Sequence, residues 1–253
     1  MRGFLETAAL LADRAGAIAR EAWFQTGDVQ FKADGSPVTC ADLAVERALR
    51  DVIAQRHPTH GILGEEYGAV EVGRSHVWVL DPIDGTRQFA AGLAHFGVLI
   101  ALCRDGVPVL GVIDMPLMDA RWVGADGETR LNGSVVRCAP AAGLDQARVS
   151  VANPNSFPGN YRAGYDRLSR MGAMQVFDGG CASYAALARG RLDICINGPD
   201  LDPFDICALV PVVQGAGGVI SDWQGGALTI HSRGAIVATA SDALHRAVLP
   251  QLG

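Results

Sequence analysis

The segment Asp81-Pro82-Ile83-Asp84-Gly85-Thr86 sets two carboxylates, a proline, a glycine and a hydroxyl directly after the apolar run Val77 to Leu80. Proline fixes one backbone angle and glycine permits a tight turn, so both acids and the carbonyl between them can converge on one point. Convergent oxygens suit a hard cation. Carboxylates, a backbone carbonyl and water are what Mg²⁺ accepts, and no His/Cys cluster offers zinc a softer site. Gly85 and Thr86 would open the next segment with free backbone N–H groups, a natural cradle for phosphate. Taken alone, the hexapeptide reads equally well as a turn with solvated acids. Two further acidic positions weigh against that reading. Glu65-Glu66 follows Gly64 at another strand end, and Asp205 opens an apolar helical run (Ile206, Leu209, Val210, Val213) where a helix cap is the competing role.

The elements that must position these acids follow from periodicity. Leu5, Ala8, Leu11, Ala12, Ala15, Ile18, Ala19 and Ala22 recur at three- and four-residue steps, which predicts an amphipathic helix. A turn-rich segment, Lys32 to Pro37, leads to Thr39, three residues before Asp42 and ahead of Val45, Ala48, Leu49, Val52 and Ile53. That spacing predicts a second helix opened by a capping box, which is the bland alternative role for Asp42. The period then shortens. Gly61–Gly64, Val77–Leu80, Gly97–Cys103 and Val107–Ile113 read as strands, with hairpin signals at Ala125 to Glu128 and Asn132-Gly133, hence an antiparallel sheet built from sequence neighbours. Beyond about residue 136, strand-like Arg148–Ala152, Met174–Phe177, Leu192–Ile196 and Gly218–Asp222 alternate with helix-like Tyr161–Arg170, Cys181–Ala188 and Phe204–Gly215. The expectation is an α+β lobe over residues 1–138 and an α/β lobe over 139–253, divided near Ala139 to Gly143.

Composition removes several classes of function. With 253 residues, 49% hydrophobic and 19% charged, the chain can bury a sizeable core and is not disordered. A net charge of −6 gives no electrostatic reason to expect a nucleic-acid partner. The longest uncharged apolar stretch, Ile206 to Ile220, contains Pro211 and Gln214 and falls short of the roughly 20 residues of a membrane span. The N-terminal residues lack the pattern of an export signal, so a cytoplasmic location is expected. Six widely spaced cysteines without a C-x-x-C pair read as reduced packing residues. His57, His60, His76, His95, His231 and His245 show no metal spacing and read as surface or loop residues, with His95 close enough to the Asp81–Thr86 turn to watch.

Gly64-Glu65-Glu66, Asp81 to Thr86, and Asp205 with Ala208 and Gly215-Ala216-Gly217-Gly218 together resemble the motif set of the inositol monophosphatase superfamily, in order and across nearly the whole chain. Lys32 to Asp42, with its Ser-Pro-Val-Thr-x-Ala-Asp pattern, matches the segment these enzymes place before their second helix. Gly111 to Pro116, Arg121 to Gly124, and Asp205 through Pro211 to Gly218 with Asp222-Trp223 are most similar to the histidinol-phosphatase branch. The resemblance implies a layered αβαβα sandwich, a site between the lobes, a homodimer, and a metal-dependent phosphomonoesterase. Carried over residue by residue, it assigns Glu65, Asp81 and the Ile83 carbonyl to one Mg²⁺, and Asp81, Asp84 and Asp205 to a second, with Asp81 bridging. Thr86 and Asp42 would orient the attacking water, and Glu66 would assist behind the ligands or hold a third ion.

The substrate segment departs from the branch pattern. An acid is expected where Gly180 stands, and Asp178 lies nearby instead; Asn197 stands where the superfamily usually has a glutamate. Losing both acids would remove two attractions to a cationic substrate, each about 1–3 kcal/mol if buried. The stretch Asn197 to Phe204 is one residue longer than usual and carries Asp200 and Asp202, either of which could replace a missing carboxylate. Candidate substrate contacts are therefore Asp84, Asp178, Gly180, Asn197, Asp200 and Asp205. Histidinol phosphate ranks first, inositol phosphate or another small sugar or cofactor phosphate second, and large polyphosphorylated substrates lower. A non-catalytic regulatory module on the same fold is the alternative of another class, opposed by retention of every mapped acid and of Thr86.

Overall fold

The computed structural model describes residues 1–25, 29–31 and 37–252. Most of the turn-rich segment predicted at 32–37 lies outside the described residues. Helix α1 (Arg2–Trp23) is followed by a short antiparallel pair, β1 (Val29–Phe31) and β2 (Pro37–Thr39), and by α2 (Cys40–Arg56). Then come β3 (Gly61–Gly64), β4 (Gly68–Val70), β5 (His76–Asp84), α3 (Thr86–Ala90), β6 (Gly97–Arg104), β7 (Val107–Met115), β8 (Ala120–Ala125), β9 (Glu128–Leu131) and β10 (Ser134–Val135). The second half supplies β11 (Arg148–Val151), α4 (Tyr161–Leu168), β12 (Met174–Phe177), α5 (Gly180–Ala188), β13 (Ile194–Asn197), α6 (Pro203–Ile206), α7 (Leu209–Gly215), β14 (Val219–Asp222), β15 (Ile236–Thr239) and α8 (Asp242–Val248).

Two large sheets result, of eight strands in the order β10-β9-β8-β7-β6-β5-β3-β4 and of five in the order β12-β11-β13-β15-β14. Alternation along β5 explains the stacking: Trp78 and Leu80 face α1 and α2, whereas Val77 and Val79 face the opposite core with α5 and α7. Residues of the five-stranded sheet (Cys195, Ile220, Ala238) close that central core from the far side, and Val149, Ile194 and Val237 meet α4 and α8 beyond it. The layers therefore run helix, sheet, helix, sheet, helix. Both sheets are covered on both faces, which is why their strands read as near-continuous apolar runs.

The structure corrects the expectation of a sheet built only from antiparallel neighbours. Strand β3 pairs with β5 in parallel, and β4 folds back antiparallel on the outer side of β3. The parallel pairing points the ends of β3 and β5 the same way, which sets Glu65 beside the end of β5. The helix predicted over Phe204–Gly215 is two short pieces, α6 and α7, with Cys207 and Ala208 between them. Gly111 on β7 and Gly124 on β8 lie where a Cβ would strike the backbone of Ala208 and Pro211, so this helical region docks on the sheet at backbone distance.

Candidate active site

The motif Asp81 to Thr86 ends β5 in a bulge. Asp81 stands opposite Leu99 and Asp84 opposite Gly97, so Pro82 and Ile83 on one strand face Val98 alone on the other. In a regular strand positions i and i+3 face opposite sides; the extra residue brings both acids to one side. Pro82 sits in the bulge, where its missing N–H costs no ladder bond. Gly85 then turns the chain at φ 90° into α3. Asp205 arrives from α6, and carboxylate oxygens of Asp81, Asp84 and Asp205 all lie within 4.8 Å of one another.

Each acid is aimed by a bond to one of its oxygens. Ile83 N–H donates to Asp81 Oδ1 (3.0 Å), Cys181 N–H to Asp84 Oδ2 (2.8 Å), and Asp202 N–H to Asp205 Oδ2 (2.7 Å). One oxygen of each carboxylate is thereby fixed by a backbone amide. Asp205 is thus both a helix-cap partner, in a reciprocal box with Asp202, and a member of the acid cluster. Asp42 combines roles in the same way. Thr39 donates its N–H (2.8 Å) and hydroxyl (2.6 Å) to Asp42 Oδ2, while Thr86 Oγ1 lies 3.3 Å from Asp42 Oδ1 and 3.1 Å from the Ile83 carbonyl.

Electrostatics fit a cation. Burial raises the Asp81 carboxyl well above its ordinary value, and Glu65, Asp84, Asp205 and Asp42 add repulsion. Burial likewise lifts Asp205, reinforced by Asp84, Glu65 and Asp200, and lifts Asp84 against the opposing hydrogen bond from Cys181. Asp42 is raised by burial in spite of its Thr39 bonds. Acids this close and this desolvated repel unless protonated or bridged by a divalent ion, and an all-oxygen donor set matches Mg²⁺.

A cleft of about 260 Å³ opens above these acids. Glu65, Asp84, Gly85, Thr86, Asp178, Gly180, Asn197, Asp200 and Asp205 line it. Asp42, Asp81, Ile83 and Glu66 are not among the lining residues; Asp42, Asp81 and Ile83 are buried beneath it. Over its full length the chain matches the model of the inositol monophosphatase family, residues 1–252. The chain belongs to that family. It is 40% identical to the bifunctional phosphatase IMPL2, chloroplastic, of Arabidopsis thaliana over 90% of this chain and 67% of that one. It is 33% identical to the histidinol-phosphatase of Mycobacterium tuberculosis, covering 98% and 97% of the two chains. Its fold superposes on an inositol monophosphatase from Zymomonas mobilis with a TM-score of 0.91, at 37% identity, covering 99% and 98%. The inositol monophosphatase family is metal-dependent, and this member is a phosphatase with the family's layered αβ sandwich.

Several sequence candidates have defined partners in the specificity region. Asp178, at φ 53°, carries a carboxylate oxygen 3.4 Å from both Gln88 Nε2 and Asn153 Nδ2. Asn197 Oδ1 accepts the Tyr184 hydroxyl at 2.7 Å, and Asp200 accepts Ser156 Oγ at 2.6 Å. Asp202 is occupied elsewhere, capping α6 and pairing with Arg233. Gly180 stands at φ +50°, and a Cβ there would lie 2.9 Å from Asp84 Oδ2, so a side chain at this position would crowd Asp84. The reading missed Gln88, Asn153, Ser150 and Ser183, which also line the cleft; only the position of Gln88 two residues after Thr86 signalled it.

The surface-or-loop reading fails at two histidines, His76 at the start of β5 and His245 buried in α8, while His57, His60, His95 and His231 lie outside regular elements. His57, His60 and His76 form a stack with ring centroids 4.6 and 5.0 Å apart, flanked by Phe4. His245 is buried between Ser221 (2.9 Å) and Thr239 (3.1 Å). His95 does line the cleft. Among the cysteines all are free, and Cys40 is exposed rather than part of the core.

Proposed function

We propose that this chain is a Mg²⁺-dependent phosphomonoesterase whose substrate is histidinol phosphate, hydrolysed to histidinol and inorganic phosphate. Glu65, Asp81 and the Ile83 carbonyl would hold one ion and Asp81, Asp84 and Asp205 a second, with Glu66 available to support a third. When bound, Mg²⁺ supplies Lewis-acid polarisation of the phosphoryl group and makes the attacking water easier to deprotonate. The chain's own groups orient that water. Thr86 Oγ1 can accept a hydrogen bond from it while passing its own proton toward Asp42 Oδ1, since Asp42 Oδ2 is already taken by Thr39. The raised pKa of Asp42 makes it a stronger proton acceptor than an exposed aspartate. Gly85 and Thr86, at the unpaired N-terminal turn of α3, face the phosphate with backbone N–H groups.

The observation that carries the substrate choice is the Asp178 carboxylate, which lines the cleft within 3.4 Å of Gln88 and Asn153, together with Asp200 in the same lining. Two acids above the phosphate end suit an alcohol that bears an ammonium group. Arg87 is the one Lys or Arg among the described lining residues, which disfavours a second phosphate. Inositol 1-phosphate is the second reading, favoured by the hydroxyls and amides of Ser150, Ser183, Asn153 and Asn197 in the cleft lining. Residues 1–138 would then supply most ligands and 139–253 Asp205 and the specificity segment, in a cytoplasmic homodimer whose assembly rests on the family alone. The test is kcat/KM with Mg²⁺ for histidinol phosphate, inositol 1-phosphate, fructose 1,6-bisphosphate and adenosine 3′,5′-bisphosphate. Histidinol phosphate is expected to lead. A higher value for inositol 1-phosphate overturns the first choice, and no Mg²⁺-dependent phosphate release from any of them favours the non-catalytic module.

A further inference from the structure

Behind Glu65 a buried carboxylate touches none of the reacting groups. Glu46 lies on α2 one turn after Asp42, and its side chain is fully buried. Its Oε2 accepts the backbone N–H of Glu66 at 2.7 Å, and its Oε1 accepts the N–H of Tyr67 at 3.1 Å. Arg50, one turn further along, donates Nε–H to Oε1 at 2.8 Å and reaches the Gly68 carbonyl with Nη2. The Glu46 carboxylate fills the space that a side chain at Gly64 would need, so the absence of a Cβ there lets it sit directly under the turn. A buried charge is tolerated only when paired and hydrogen-bonded, and here Arg50 and two amides meet that requirement. An apolar residue at 46 would leave the N–H groups of Glu66 and Tyr67 without this acceptor.

We propose that Glu46 is a positioning residue for the divalent-cation site: by holding the backbone of the turn between β3 and β4 it fixes Glu65 at the floor of the cleft. The inference rests on the cation-site reading above. Helix α2 then sets two parts of the site at once, because Asp42 in its first turn meets Thr86 while Glu46 in the next secures the turn that carries Glu65. A rigid helix keeps the two in register.

The test is calorimetric Mg²⁺ titration of the full chain as wild type, Glu46→Gln and Leu49→Ala. Leu49 is a core residue of the same helix and touches no part of the turn in the hydrogen-bond network, so it controls for lost stability alone. Glutamine keeps one acceptor but turns an NH₂ toward the second amide and drops the charge that Arg50 meets. The Mg²⁺ Kd is expected to rise about tenfold or more in Glu46→Gln, within the ~10–100-fold range for groups that support metal ligands, with kcat largely recovered at saturating Mg²⁺. Leu49→Ala should leave Kd within about twofold while lowering Tm. An unchanged Kd in Glu46→Gln, or an equal rise in both variants, overturns the proposal. If Glu46→Gln does not fold, Arg50→Gln is read by the same criteria. No Mg²⁺ binding by the wild type would instead sink the cation site itself.

Discussion

Replacing Asp205 with asparagine should push stability and activity in opposite directions. The carboxylate oxygens of Asp81, Asp84 and Asp205 approach within 4.8 Å. Two unit charges at that spacing repel by roughly 3 kcal/mol at an effective dielectric near 20. The cleft opens to solvent and acids with raised pKa values share protons, so the relief expected in the metal-free protein is about 1–2 kcal/mol. Asparagine keeps an oxygen to accept the Asp202 N–H, so the cap of α6 survives. For a chain of this size that gain corresponds to a Tm rise of roughly 2–8 °C without metal. With Mg²⁺ the order reverses. Wild type at a hundredfold excess over Kd gains about 2.7 kcal/mol, whereas a variant bound a hundredfold more weakly gains about 0.4 kcal/mol. At that Mg²⁺ concentration about half of the variant's sites would be empty, so phosphate release should fall by about twofold from occupancy alone. The assay is thermal denaturation with EDTA and with Mg²⁺, alongside turnover. An Asp205→Asn protein that is less stable in EDTA yet keeps the wild-type Mg²⁺ increment would refute the picture of mutually repelling acids awaiting a cation.

Three other outcomes follow from the same geometry. Thr86→Val, which keeps the shape and removes the hydroxyl, should lower kcat by about 10²-fold or more with the Mg²⁺ Kd unchanged; equal kcat would remove Thr86 from water orientation. Gly180→Asp restores the acid of the histidinol-phosphatase pattern but meets Asp84 and a positive φ, so it should weaken activity on every substrate, and a gain on histidinol phosphate would contradict this. Burial lowers His57, His60 (to about 4) and His245 from 6.5, so the folded state binds fewer protons than the unfolded chain in that window. The histidine contribution to stability is then full above about pH 6.5 and is lost as pH falls toward 4, while the raised values of Asp42, Asp81, Asp84 and Asp205 favour the folded state in the opposite direction. The histidine part is read as a difference: the wild-type urea midpoint should lose more across that range than that of His60→Asn, which keeps an acceptor for Trp78; parallel curves would exclude the stacked histidines.

Much of the site was legible because its chemistry is compressed into short motifs. Asp81 and Asp84 announce themselves through the proline and glycine beside them, and the Thr39–Asp42 spacing spelled out a capping box that the structure contains. What periodicity could not convey was pairing between non-neighbours. The parallel alignment of β3 with β5 skips over β4, and the strand runs carry no mark of direction. Cap and site roles, which compete in the sequence pattern, coexist in the structure: Asp42 and Asp205 each take part in a capping box and also meet the site. Glu46 escaped because its partners are backbone amides of a distant turn, although its place four residues after Asp42 put it on the same helix face. The histidine stack was not legible because His76 lies far along the chain from His57 and His60 and meets them only once the end of α2 and the start of β5 lie side by side.

In the proposed function four acids from three distant stretches, Glu65, Asp81, Asp84 and Asp205, enclose divalent ions beneath the cleft. Anomalous diffraction from crystals soaked in Mn²⁺ tests it directly. A peak bounded by Asp81, Asp84 and Asp205, with a second between Asp81 and Glu65, is expected. Crystals with the four acids ordered and no peak among them at saturating Mn²⁺, or with the ions bound elsewhere, would contradict it.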